Sequence, residues 1–258
     1  MEKLFSNRKI VVYHKFCSNH QLEAHLSILQ KEDVLITVDD GDVSFYKYLF
    51  PLLHKYKIPT VLFIITELID TNKPFWWDEL VYLLGKEEGE KRVWEVKEWP
   101  NQERVAYINQ LRVESDKPSL KQAQLTTEQL KEMERAGVII ANHSHTHPMF
   151  NQCSEVELRD EFRQSKHFFD KAGLKGFNLF AYPNGNVNQL AEKVAKEEGI
   201  SHAFLFDHKL PAKKYDPYRI SRLSITDQTR PSKLRFILSG WHSKILPLRR
   251  SIYKLING

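Results

Sequence analysis

The sequence predicts an α/β domain whose parallel strands form a closed or nearly closed sheet, and three observations carry that prediction. Apolar runs such as VLITV at 34–38 and TVLFII at 60–65 are rich in β-branched residues without polar alternation, as strands covered on both faces are. Segments with helical spacing or helix caps fall between such runs along most of the chain, the pattern of repeated strand–helix–strand units. The chain has 258 residues, and a complete barrel of alternating strands and helices takes about 250.

In chain order, residues 10–13 (IVVY) read as a strand ending at His14, and 21–30 carry Leu22, Leu26 and Leu29 at helical spacing. The next strand, 34–38, delivers two adjacent carboxylates, Asp39 and Asp40, to its C-terminal end, and Gly41 permits a tight exit. Residues 44–56 read as a helix with Tyr48, Leu52 and Leu53 inward, followed by the strand at 60–65. Residues 75–84 (FWWDELVYLL) form an aromatic-rich helix. From 85 to 119 the chain is charged and loosely patterned, an excursion from the core architecture to which periodicity assigns no element. Thr126 and Gln129 match a capping box, opening a helix that ends before Gly137, and 138–141 (VIIA) is a strand. A second box, Ser154 with Glu157, opens a long helix that stops at Gly173. A strand at 177–181, a helix at 187–198 and late strands at 201–206 and 219–225 follow, and Pro231 opens a last helix.

Composition narrows the function classes. With 41% hydrophobic, 28% charged and 12% aromatic residues the chain is that of a globular protein. Two cysteines, Cys17 and Cys153, make neither a metal pair by spacing nor a disulfide framework. Asn7, Arg8, Lys9 and His14 interrupt any secretory apolar run, and no segment approaches the ~20 apolar residues of a membrane span. A reducing, cytoplasmic location is the expectation. The net charge of +5 does not point to nucleic acid, because its excess lies in the tail. From Gln228 onward there are seven basic residues and no acidic one, interleaved with large apolar side chains. Residues 229–258 therefore read either as a last helix packed on the body with a solvated basic face, or as a surface for peripheral contact with anionic lipid at the inner face of a membrane.

The sharpest local feature is ANHSHTHPMF at 141–150, directly after a strand. His143 and His147 are four apart, so one helical turn would bring both rings to one face at the spacing two metal nitrogens need, with His145 pointing elsewhere. One carboxylate with two histidines leaves coordination positions open, as in catalytic sites. Asp-Asp-Gly taken alone reads first as turn chemistry between a strand and a helix.

Three motifs in order give a resemblance. Thr37, Val38, Asp39, Asp40, Gly41 resembles the first motif of the polysaccharide deacetylase family, also called the NodB homology domain or carbohydrate esterase family 4. His143, Ser144, His145, Thr146, His147 resembles the second, H-[S/T]-x-x-H, and Ala181, Tyr182, Pro183, Asn184, Gly185 resembles the third in part, with Ala181 where the family has arginine. The similarity runs over roughly residues 10–240 and implies a distorted (β/α)7 barrel as one catalytic domain. It further implies Asp39 as general base; Asp40, His143 and His147 as ligands of one divalent metal ion, commonly zinc; and the Asn184 backbone N–H as an oxyanion donor. The family's late histidine acid is absent, but a permuted subgroup takes its acid from an N-terminal Tyr-His pair, which Tyr13 and His14 match. Arg222 is the candidate to replace the missing arginine at Asp39 and to border the substrate, with Tyr182 and Trp77 as further substrate contacts.

The implied activity is metal-dependent removal of an N-acetyl group from an amino sugar, nucleotide-linked or lipid-linked, in surface-polysaccharide or lipopolysaccharide assembly. Ala181 and the absent late histidine motivate, as an alternative, a non-catalytic sugar-binding or scaffold protein on the same fold, against which the complete set Asp39, Asp40, His143 and His147 argues. HSHTH also admits the H-x-H pair of an amidohydrolase-like metal hydrolase.

Overall fold

A computed structural model describes residue 5 and residues 8–18, 21–212 and 216–243. Among them, strands β1 (Lys9–Tyr13), β2 (Val34–Val38), β3 (Thr60–Ile64), β4 (Ile139–Asn142), β5 (Gly176–Ala181), β6 (His202–Phe204) and β7 (Leu223–Ser224) make one sheet in the order β6-β5-β4-β3-β2-β1-β7. Every pairing is parallel. The sheet curls into a distorted barrel whose two edges approach each other through the 217–224 segment. Ile220 bridges Phe204 at one edge, and Leu223 pairs with Val11 at the other.

The period of two along each strand sorts side chains into two layers. Ile10, Leu35, Val61, Phe63, Ala141, Leu179, Ala181, Phe204 and Ile220 pack together inside the barrel. Val11, Ile36, Val38, Leu62 and Ile140 face outward onto α1 (Leu22–Leu29), α2 (Phe50–Tyr56) and α6 (Thr127–Arg135). Continued past the ends of β1, β2 and β4, the inward phase reaches His14, Asp39 and His143, and Arg222, just before β7, lies over the inward-facing Phe63 and Phe204. The barrel interior thus hands its alternation directly to the chemistry at its C-terminal mouth.

Both predicted capping boxes form, at Thr126 with Gln129 opening α6 and at Ser154 with Glu157 opening α7 (Glu155–Ala172). The helix expected over 44–56 is instead a π-helical turn, Phe45–Leu49, running into α2. The wider turn resets the phase, so Phe45, Leu49, Leu53 and Tyr56 are buried while Tyr48 and Leu52 are only partly so.

The charged excursion is helical. After α3 (Trp76–Leu84), α4 (Lys86–Val96) and α5 (Asn101–Glu114) fold back to enclose Trp76, Leu80, Val96, Ile108 and Met149. Gly89 lets α4 lie against α3, since a Cβ there would stand 2.4 Å from the Val81 Cα. Met149 follows the histidine-rich segment, so the excursion docks beside the barrel mouth.

After α8 (Gln189–Glu197) and the two short late strands, α9 (Pro231–Leu238) buries Leu234, Ile237 and Leu238 against the body and leaves Arg230, Lys233 and Arg235 exposed. That agrees with the packed-helix reading for this part of the tail; residues 244–258 lie outside the described residues. No helix among the described residues is long and apolar enough to cross a membrane.

Candidate functional site

At the end of β2 the chain enters the left-handed region at Asp40, φ 71°, and remains there at Gly41. The turn lets adjacent acids do different work. Asp39 keeps the inward phase and meets Arg222, while Asp40 swings toward β4. Arg222 is 0% exposed. Its two terminal nitrogens donate to the two Asp39 oxygens at 2.6 and 2.7 Å, and its Nε donates to the Leu205 carbonyl at 2.7 Å. Burial alone would raise the Asp39 pKa, but the Arg222 guanidinium and His143 hold it below the usual carboxylate range.

His143 and His147 do not sit on a helical turn as their spacing suggested. Ser144 and His147 adopt φ of 72° and 58°, and the intervening loop is tied by side chains. The Ser144 N–H donates to Asn142 Oδ1, and the His147 N–H donates to Ser144 Oγ. From α7, buried Glu161 accepts the N–H groups of His145 and Thr146 at 2.7 and 2.8 Å and the Thr146 hydroxyl at 2.6 Å. Burial raises the Glu161 pKa against these hydrogen bonds. Nothing in the sequence marked Glu161.

The loop brings the two rings to 4.8 Å between centroids, with both Nε2 atoms facing Asp40 Oδ1 at 3.3 and 3.5 Å. One donor atom from each of Asp40, His143 and His147 lies within 4.8 Å of the others. His143 Nδ1 donates to the Ala181 carbonyl at 2.8 Å, which leaves Nε2 as the free lone pair. Burial opposes charge on His143, yet Asp39 and Asp40 raise its pKa; burial and the His143 charge push His147 well down. Carboxylates thus draw positive charge to the point both Nε2 atoms face. This donor set fits a divalent ion, with zinc suited to its nitrogen and oxygen ligands. His145 is not in the trio: its ring bonds Thr66 Oγ1 at 2.9 Å, so no H-x-H pair forms.

Around this trio is a pocket of about 210 Å³ lined by His14, Asp39, Asp40, Trp77, Val93, Lys97, His143, His147, Asn184 and Phe206. His14 packs edge-on against Phe206, 5.0 Å between ring centroids. Asn184 sits at φ 56°, and Gly185 beside it is required, because a Cβ would stand 2.6 Å from the Phe206 nitrogen. Lys97, from the end of α4, donates to Asn184 Oδ1 at 3.1 Å. Burial lowers its pKa against the pull of Asp40. Sequence periodicity missed Lys97 because the excursion has no apolar stripe from which to orient it.

Two expected substrate contacts lie elsewhere. Tyr182 is fully buried, packed against Phe150 and Phe180, because it is two residues beyond Phe180 on the outward face of β5. Arg222 is sealed beneath Asp39, so it holds that carboxylate and does not border the substrate. Trp77 does line the pocket, its ring 4.8 Å from His147.

The family model described as Polysaccharide deacetylase matches residues 28–203. A poly-beta-1,6-N-acetyl-D-glucosamine N-deacetylase of Staphylococcus epidermidis is 25% identical over 207 residues, covering 76% of this chain and 56% of that protein. The chain thus spans little more than half the length of this curated relative. Among solved structures, Streptococcus pyogenes deacetylase PplD in complex with acetate has a TM-score of 0.62 at 18% identity, covering 90% of this chain and 97% of that one. A de-N-acetylase from Aggregatibacter actinomycetemcomitans has a TM-score of 0.63 at 17% identity, with 89% and 99% covered. These two share the fold.

Proposed function

The chain belongs to the polysaccharide deacetylase family, and from that premise we propose that it is a metal-dependent hydrolase removing the N-acetyl group from an amino sugar in surface-polysaccharide or lipopolysaccharide assembly. The observation that carries this reading is the cluster of half-buried Asp40 with buried His143 and His147, beside an ionised, Arg222-held Asp39. The Staphylococcus epidermidis relative, named for poly-beta-1,6-N-acetyl-D-glucosamine, supports an N-acetylglucosamine glycan as substrate.

Asp40, His143 and His147 would hold the ion, which when bound polarises a carbonyl and lowers the pKa of water towards ~7. The protein's own groups divide the remaining work. Asp39 accepts the proton of the attacking water, and its charge is available because Arg222 stabilises it. The Asn184 backbone N–H donates to the carbonyl oxygen as that atom becomes an oxyanion. His14, at the pocket wall, protonates the departing sugar nitrogen as the C–N bond breaks, leaving acetate and a free amine.

Acetate release tests the proposal, measured on polymeric, lipid-linked and nucleotide-linked N-acetyl amino sugars with and without a chelator. Chelator-sensitive release from any of them is the expected result. Glycan binding without release under any metal would leave the sugar-binding reading. Peripheral membrane contact by the basic tail is part of the same proposal, and salt-sensitive co-sedimentation with anionic vesicles checks it.

A further inference from the structure

His25, on α1 behind the end of β1, is a fully buried histidine that the proposed reaction does not use. The Tyr13 hydroxyl lies 3.1 Å from its Nδ1, and the Thr229 carbonyl lies 2.5 Å from its Nε2. A carbonyl only accepts, so Nε2 carries the hydrogen and Nδ1 accepts from Tyr13. Burial favours that neutral ring by lowering the His25 pKa, against the Thr229 carbonyl and Asp227, which raise it. Burial also pushes the Tyr13 hydroxyl up, so the phenol keeps the proton it donates.

Buried Asp227, in the same turn as Thr229, reaches the other side of His14. Its Oδ2 accepts the Cys17 N–H at 2.5 Å and the Ser18 N–H at 3.4 Å. The turn itself is closed twice: the Thr229 N–H donates to the Thr226 carbonyl at 3.0 Å, and the Thr226 N–H donates to Thr229 Oγ1 at 3.1 Å. We propose that His25 and Asp227 are positioning residues for His14, through which this turn clamps the chain on both sides of the acid and sets its place relative to Asp39. The inference rests on the deacetylase reading, with His14 as proton donor, and deepens it.

The clamp and the base share a frame. The Asp39 N–H donates to the Tyr13 carbonyl at 2.9 Å, so the residue beside the acid is bonded to the backbone of the base. Arg222, upstream in the same stretch as Asp227 and Thr229, grips the Asp39 carboxylate. Residues 222–229 therefore hold the proton acceptor and the proton donor together, and a misplacement of about 1 Å at a reacting group can cost about 10²-fold. Were packing the only requirement, an apolar side chain at position 25 would fill the space without burying polar groups. An imidazole bonded at both ends fixes the direction of its neighbours as well.

Two acetyl compounds separate positioning from a merely structural role. An N-acetylglucosamine oligosaccharide loses an amine that must be protonated as the C–N bond breaks, whereas p-nitrophenyl acetate loses a phenolate that needs no proton donor. In His25→Leu and Asp227→Ala, assayed with zinc, kcat on the oligosaccharide is expected to fall about tenfold or more, with its KM and the ester rate unchanged. His25→Gln and Asp227→Asn, which keep an acceptor oxygen, should recover part of the loss. Added to His14→Ala, neither variant should cost more, because both act through His14. Should His25→Leu not fold, Asp227→Ala carries the same comparison. A parallel fall on both compounds, an unchanged oligosaccharide kcat, or an equal further fall in the His14→Ala background would overturn the proposal, as would full oligosaccharide activity in His14→Ala itself. If the unsubstituted protein releases acetate from no amino sugar, the deacetylase reading has failed instead. The imidazole NMR resonances of His14, identified by their loss in His14→Ala, then decide the clamp: a shift in Asp227→Ala supports it, and unmoved resonances refute it.

Discussion

Arg222 and Asp39 are 183 positions apart in sequence yet form a bidentate ion pair at 2.6 and 2.7 Å within the barrel. The pair places the proton acceptor of the proposed reaction, and it is costly to break from either side. Removing one partner of a buried pair leaves a charge without compensation, at about 3–5 kcal/mol. Arg222→Met is therefore expected to lower Tm and abolish most turnover. Asp39→Asn should abolish turnover while keeping bound metal, since Asp39 is outside the ligand trio. A double variant less destabilised than the two singles combined would establish the coupling; simple additivity in thermal unfolding would refute it.

The second prediction concerns the ion. His143→Ala should lose metal, and His145→Ala, whose ring bonds Thr66 instead, should retain it. Metal content after dialysis checks both. Equal loss in the two would restore the H-x-H arrangement.

Glu161 anchors the loop that aims both histidines through the His145 and Thr146 N–H groups and the Thr146 hydroxyl, not through either ring. Groups that orient ligands from behind typically contribute 10–100-fold to metal affinity, and Glu161→Leu is expected to cost about that much. Glu161→Gln, which keeps one acceptor oxygen, should recover part of it. A competition assay with a metal-binding dye reads the affinity apart from fold stability.

Lys97 fixes the Asn184 side chain from across the pocket. In Lys97→Met, kcat should drop about tenfold, less than the 10²–10³ lost when an oxyanion donor is removed outright, with metal content unchanged. A pure KM effect would assign Lys97 to substrate binding.

The thiols supply a control on folding. Burial pushes the Cys153 thiol up to about 12, whereas Cys17 is exposed. The neutral thiol is the unreactive form, so alkylation near pH 8 should label Cys17 alone in the folded protein and both cysteines in denaturant. Mass spectrometry of the peptides reads the difference, and labelling of Cys153 without denaturant would contradict the packing described.

Strands β2, β3 and β4 and both capping boxes were legible because each is written in local sequence: continuous apolar runs, or paired residues three apart. The metal trio was legible as a set but not as a shape, since His143 and His147 converge through two left-handed residues and not through a helix. α4 and α5 stayed hidden for a physical reason. α5 buries only Arg104 and Ile108, too few to imprint a period of 3.6 on the sequence. Tyr182 was misread because its proximity to Pro183 and Asn184 outweighed the strand alternation that pairs it with Phe180.

The segment from 217 to 224 bridges the barrel's two edges and carries Arg222 between its contacts. During synthesis β2 emerges long before this segment, and the loop to be closed is among the longest in the chain. Until that late docking, Asp39 has no counter-charge and an interior site open at its seam. A nascent or prematurely ended chain is thus expected to lack the proposed hydrolysis until β7 has docked.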